Sequence, residues 1–216
     1  MIVAALFTLL LTASPLPAAS DATPGMTYHF ERPGSPQPEF TIVIGEDGTG
    51  SYQEGKPDAE GAKRPVSITA SAQTVAKILA AKATVQSGQC ESHLKNIANT
   101  GKKHLTFTHD GQTAACDFNY SDDEKLNSAV DALQAIARTI QTGDKLAHDH
   151  RFDHLGLDAD LDGLLEAAKS GYAIEFQNIA RALQSIVNDD EMMSPSRRKA
   201  KQLLDLASLQ SPASAR

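Results

Sequence analysis

The stretch from Cys90 to Tyr120 constrains this chain more tightly than any other. It holds the only two cysteines, Cys90 and Cys116, separated by an alternating apolar run, a Gly-containing turn and a second alternating run. Leu105 and Phe107 fall on one parity, and His104, Thr106 and Thr108 fall on the other. Asp110-Gly111 supplies a hairpin turn, and Cys116, Phe118 and Tyr120 form the inward set of the returning strand. Cys116 therefore shares the buried face, where a helix packed on the sheet can present Cys90. A short helix is expected around 90–98, with Leu94, Ile97 and Ala98 on one face. The resulting Cys90–Cys116 disulfide closes a loop of about 26 residues and contributes roughly 3.5 kcal/mol in the chain-entropy model. A catalytic thiol is the competing reading, and an oxidising compartment favours the structural bond.

That compartment is suggested by the first residues. Met1 to Leu11 is almost entirely apolar, Ser14, Pro15 and Pro17 break the run, and Ala18, Ala19 and Ser20 follow. The pattern reads as an export signal over 1–22, and the apolar run is well short of the ~20 residues that a bilayer span needs. The expected location is periplasmic or secreted, with no transmembrane segment once the signal is cleaved.

Upstream of the cysteines the pattern is a meander. Tyr28 and Phe30 mark one short strand, and Phe40, Ile42 and Ile44 a second. Glu46-Asp47-Gly48 turns the chain into a partner strand over 49–54, and Val66 and Ile68 mark another. Val75, Ile78 and Leu79 lie at helical spacing, so a helix is expected over 72–83. Downstream, Ser121-Asp122-Asp123-Glu124 reads as a capping box with Ser121 at the N-cap. The stripe Leu126, Val130, Leu133, Ile136, Ala137 and Ile140 then predicts a helix of about 20 residues, stopped by Gly143. The last part is read as three helices: one through Leu161, Leu164 and Leu165, one from Tyr172 to Ile186, and one opened by Ser194-Pro195.

The expected fold is α+β. An antiparallel sheet of about 5–6 strands is packed by helices over 23–143, a small all-helical subdomain occupies 144–210, and 211–216 form a frayed tail.

Two segments carry metal-ligand chemistry. In His148-Asp149-His150-Arg151-Phe152-Asp153-His154, a helical wheel brings His150, His154 and Asp153 to one side, a candidate site for a transition metal. His148 falls opposite, with Phe152 and Leu155. In Asp158-Ala159-Asp160-Leu161-Asp162-Gly163, the acids Asp158, Asp160 and Asp162 match the first half of a calcium loop. Lys169 stands where the closing bidentate acid belongs. An ordinary polar connection and an ordinary capped helix, respectively, explain the same residues. No cofactor is implied beyond a weak divalent metal.

A formal net charge of -7 argues against a nucleic-acid partner, because phosphate contacts need a basic footprint. The sequence contains no nucleophile elbow, zincin helix, phosphate-cradling loop or dinucleotide fingerprint. The leading functional reading is an exported non-enzymatic binding or interaction protein of the cell envelope. Its partner would be an envelope or extracellular protein, and its charge is split between acids over 122–166 and bases over 197–201. The alternative is a metal-dependent or hydrolase-type enzyme with a site around 148–166.

Phe176 to Ala207 resembles a HEAT-type helical hairpin: Ile179, Leu183 and Ile186, then Asp189-Asp190, then Arg198, Ala200, Leu203 and Leu204. Solenoids need several such units, and one is visible. The whole chain is similar in organisation to exported bacterial proteins of uncharacterised function, which implies a leader, a disulfide-linked α+β domain and a helical tail but no activity.

Overall fold

Six strands and six α-helices build an α+β protein in a computed structural model that describes residues 25–35, 38–56 and 63–210. The export signal over 1–22 and the tail over 211–216 lie outside the described residues. The strands are β1 (Gly25–Glu31), β2 (Glu39–Gly45), β3 (Thr49–Glu54), β4 (Val66–Thr69), β5 (Lys102–His109) and β6 (Gln112–Phe118). They form one fully antiparallel sheet in the order β4-β3-β2-β1-β5-β6. The first four strands meander outward from β1. The chain then crosses back over one face so that β5 can pair with the other side of β1.

Strand parity decides which face is covered. Met26, Tyr28, Phe30, Phe40, Ile42, Ile44, Leu105, Phe107, Cys116 and Phe118 are buried beneath the helices. Thr27, His29, Thr106 and His104 alternate with them on the other face, as a one-sided antiparallel sheet requires. Tyr120, expected to point inward, lies past the end of β6 and is exposed.

The helix expected over 72–83 is two helices, α1 (Ala72–Leu79) and α2 (Lys82–Ser87). The backbone tightens between them, where the Ala81 N–H bonds the Ile78 carbonyl at 3.1 Å, and Ala81 is fully buried at the break. Gly88 ends α2 in the left-handed region.

No helix forms over 90–98. Cys90 and Cys116 are paired as a disulfide with Cα atoms 6.1 Å apart, and further bonds fix the following residues across the end of β6. The Ser92 N–H reaches the Tyr120 carbonyl at 2.8 Å, the Ser92 hydroxyl donates to Asp122 at 2.7 Å, and Glu91 accepts from the Asn119 N–H at 2.6 Å. Those bonds hold Glu91 and Ser92 against the residues that follow β6, and Leu94 stays 64% exposed instead of joining a buried face.

The longest element is α3 (Glu124–Phe152), and every residue of its expected stripe is buried. Its start and its end both differ from expectation. Asp123 is the N-cap, its carboxylate accepting the Leu126 N–H at 2.7 Å, while Ser121 sits two residues earlier and accepts from Asp123 N–H at 3.2 Å. A carboxylate at the cap also meets the positive end of the helix dipole, which favours Asp123 over the serine. At the other end, Gly143 does not stop the helix. It lies buried where α3 crosses Ile179, and a Cβ there would come within 2.8 Å of the Ile179 Cβ. The missing side chain serves close packing, not termination.

Beyond α3 come α4 (His154–Lys169), a 3-10 turn (Phe176–Ile179), α5 (Ala180–Val187) and α6 (Ser194–Gln210). The middle helix expected from Tyr172 therefore begins later, and Tyr172 itself is on an exposed turn. The buried apolar residues divide into two clusters, one between the sheet and α1–α3 and one among α3–α6. Leu126 to Ile140 of α3 belong to the first and Leu146 to the second, so one uninterrupted helix serves both.

Candidate functional site

The His/Asp-rich segment forms the corner between α3 and α4. Asp153 makes that corner: its N–H closes α3 on the Asp149 carbonyl at 2.8 Å, and its carboxylate caps α4 by accepting the Gly156 N–H at 2.9 Å. Lys145 braces the angle from inside. Its ammonium donates to Asp149 at 2.8 Å and also reaches Asp160 on α4. The lysine holds the Asp149 carboxyl well below the usual range, whereas burial pushes Asp160 upward despite the same lysine. His150 Nε2 meets Asp189 of the α5–α6 connection at 2.8 Å, and His154 Nε2–H donates to the His150 carbonyl at 3.2 Å.

The residues expected to gather around a transition metal thus have separate partners: Asp153 a backbone N–H, His150 a carboxylate, His154 a carbonyl. The half-calcium loop is the middle of α4, because Leu157, Leu161 and Leu164 supply a buried helical stripe. Helical geometry then splits its acids. Asp158 and Asp162, four residues apart, face α6, where Lys199 lies 3.0 and 2.7 Å from them and Ser196 donates to Asp158 at 2.8 Å. Lys199 lowers the Asp158 carboxyl. Asp160 faces α3 instead. Among the described residues, no three His, Cys, Asp or Glu side chains are grouped so as to hold a metal ion. The acids over 122–166 and the bases of the tail do meet, at Lys199, and they tie α4 to α6.

What the corner leaves in water is apolar. Phe152 is 73% exposed and Leu155 79% exposed, on either side of Asp153. His148, on the same side, lies with its ring centroid 5.0 Å from that of Phe152. The helical wheel anticipated this grouping, with the three residues opposite the His150 side. Isolated exposed leucines are ordinary, but here two large apolar side chains are exposed at one braced corner.

A second feature was not legible in the sequence. A cleft of about 480 Å³ opens beside α3, lined by Lys77 of α1, by Asp131 and Arg138 of α3, and by the turn 170–174 with Tyr172. These residues lie far apart in the chain and match no short motif. The sequence pattern placed Tyr172 in the stripe of a helix, so nothing in it pointed to a surface feature there.

Among the described residues, no helix is long and apolar enough to cross a membrane. Comparison with known proteins finds no matching family model, no similar curated protein and no similar solved structure.

Proposed function

We propose that the chain is an exported, non-enzymatic binding protein of the cell envelope, and that the α3–α4 corner meets its partner, an envelope or extracellular protein. The observation that carries this reading is the pair Phe152 and Leu155, held in water at a corner braced by Lys145, Asp153 and the His150–Asp189 contact. Solvated aromatic and aliphatic side chains on a rigid support give a partner apolar area with little side-chain ordering left to do. The apolar leader and the Cys90–Cys116 bond support export. The enzyme reading centred on 148–166 is disfavoured because Asp149, Asp158, Asp160 and Asp162 are engaged by Lys145 and Lys199.

Site-specific photocrosslinking in producing cells tests the proposal. A photoreactive residue at Leu155 is expected to give an adduct of discrete mass that Phe152→Ser diminishes. The same group at Thr113, exposed on β6, is the control. Adduct yield at position 155 no greater than at position 113 would overturn the proposal.

A further inference from the structure

Lys103 stands where the strand pattern calls for an apolar residue. It shares the inward parity of Leu105 and Phe107 on β5, and among the described residues it is the only buried cation. Its Nζ lies 6.0 Å from the ring centre of Phe30 and 5.9 Å from that of Phe118. The ammonium donates to Thr100 Oγ1 at 2.8 Å, to the Gly101 carbonyl at 3.1 Å and to the Asn119 carbonyl at 2.5 Å, all of them uncharged. Glu91 and Asp131 attract it and Arg32 repels it through space, but no carboxylate is bonded to it. Burial of a charge in such surroundings favours the neutral amine, and the pKa falls to about 8 from 10.5.

The amine is withdrawn from bulk water, yet Lys103 forms part of the wall of a cavity. That cavity, about 450 Å³, opens between the end of β6 and α3, and its other walls include Thr100, Phe118, Tyr120, Asn127 and Val130. Its volume is within the ordinary range of roughly 300–1,000 Å³ for small-molecule sites. The three hydrogen bonds use every N–H of the ammonium, so none is left for an entering anion. The neutral amine differs, because it keeps two N–H groups and gains a lone pair. Of its three partners only Thr100 has a proton to give, and that hydroxyl donates to the Asn119 carbonyl at 2.5 Å. The lone pair therefore has no donor to hold it, and Thr100 beside it is itself on the cavity wall.

We propose that Lys103 is a nucleophilic amine that captures a small aldehyde entering this cavity. The Nζ lone pair bonds to the carbonyl carbon as the C=O π pair moves to oxygen. Both Nζ protons then pass to that oxygen, which leaves as water, and an imine Nζ=C remains. The step needs no oxidant or reductant. Burial supplies the reactive form: at pH 7 an amine with a pKa of about 8 is roughly 300-fold richer in the neutral form than one at 10.5. The site is separate from the α3–α4 corner, and neither proposal depends on the other.

Brief reaction of the purified chain at neutral pH with propanal and sodium cyanoborohydride, which fixes imines as alkylamines, tests the inference. Fragment-ion mapping then gives the propylated fraction at each lysine. Lys102, the exposed neighbour of Lys103, is the internal reference. In the folded chain Lys103 is expected to be labelled at least tenfold faster than Lys102, and in concentrated urea the two should react alike. A lysine buried only to tie residues 100–101 to 119 gives the reverse, because burial then protects it. Labelling of Lys103 no faster than Lys102 in the folded chain would overturn the proposal, as would a preference that survives in urea. Asn127→Trp places a large side chain at the cavity, and far-UV circular dichroism shows whether this variant is folded. In the folded variant Lys103 should react more slowly while Lys102 is unchanged. An unaltered Lys103 rate there would show that the aldehyde does not arrive through the cavity, which also defeats the proposal, and the wild-type comparison decides the matter if the variant does not fold.

Discussion

Gly143→Ala offers a direct test of how the two halves of the protein meet. In the interior of an exposed helix, replacing glycine by alanine stabilises by about 1 kcal/mol, because alanine loses less backbone freedom on folding. At position 143 the sign should reverse. The new Cβ would sit 2.8 Å from the Cβ of Ile179 and closer still to its Cγ2, both fixed near the backbone of a β-branched side chain. The Cβ cannot move without the backbone, and turning χ1 of the buried Ile179 to remove Cγ2 would leave that 2.8 Å contact in place, so α3 and the 3-10 turn must separate locally. Overpacking of this kind costs about 1–3 kcal/mol, occasionally more. Set against the gain in propensity, the net loss is up to about 2 kcal/mol, which for a domain of this size lowers the melting temperature by up to roughly 8 °C. Thermal and urea unfolding followed by circular dichroism measure it. Ile179→Ala alone removes buried side-chain volume and should itself destabilise by about 2–5 kcal/mol. The double variant should lose less than the sum, because alanine at 179 lacks the Cγ2 that clashes. A more stable Gly143→Ala protein, or strict additivity in the double variant, would refute the packing of Gly143 on Ile179.

Other expectations follow from single contacts. Cys90→Ser/Cys116→Ser should lower stability by about 3.5 kcal/mol, read as a drop in the urea midpoint that reductant reproduces in the wild type. Lys103 is buried, with its ammonium donating to Thr100, Gly101 and Asn119, and burial pushes its pKa down to about 8 from 10.5. Between those values the unfolded chain holds a proton that the native protein has released, so this residue makes stability rise with pH. The stability–pH slope from 8 to 10 should therefore be less positive in Lys103→Met than in the wild type; identical slopes would contradict the assignment. Glu175 accepts from the Ser71 N–H at 3.0 Å and its hydroxyl at 2.7 Å, tying the 3-10 turn to the start of α1. Glu175→Ala should cost about 1–3 kcal/mol and speed amide exchange at Ser71, whereas unchanged protection there would mean that another acceptor suffices.

The sheet was legible because its face is set by period two and its turns by chemistry. Phe40, Ile42 and Ile44 could be assigned to the core without knowing their neighbours, and Asp110-Gly111 could only be a tight turn. The stripe on α3 was equally plain. What failed were inferences in which a local signal competed with a tertiary one. Leu94 and Ile97 have helical spacing, but the Cys90 bond and the contacts of Glu91 and Ser92 anchor that segment in an irregular path, with Asn96 in the left-handed region. Gly143 resembles a helix stop, and only the position of Ile179 shows why a glycine is there. Asp158, Asp160 and Asp162 are spaced like a calcium loop, but Leu157, Leu161 and Leu164 make the same residues helical. The contact surface at Phe152 and Leu155 was partly legible from the helical wheel. The cleft of Lys77, Arg138 and Tyr172 was not, because its geometry is a product of the fold.

The continuity of α3 has a mechanical consequence. At 29 residues it is about 43 Å long, and its two halves are clamped in different apolar clusters. A force applied at Phe152 along the axis of α3 would not be taken up by peeling α5 and α6 away one contact at a time. Directed that way, it would run into the layer that covers the sheet, where the buried stripe from Leu126 to Ile140 must slide as a unit. A pull in that direction loads the stripe in shear, the geometry in which many contacts resist together, and would be borne by the disulfide-linked sheet rather than by the C-terminal helices.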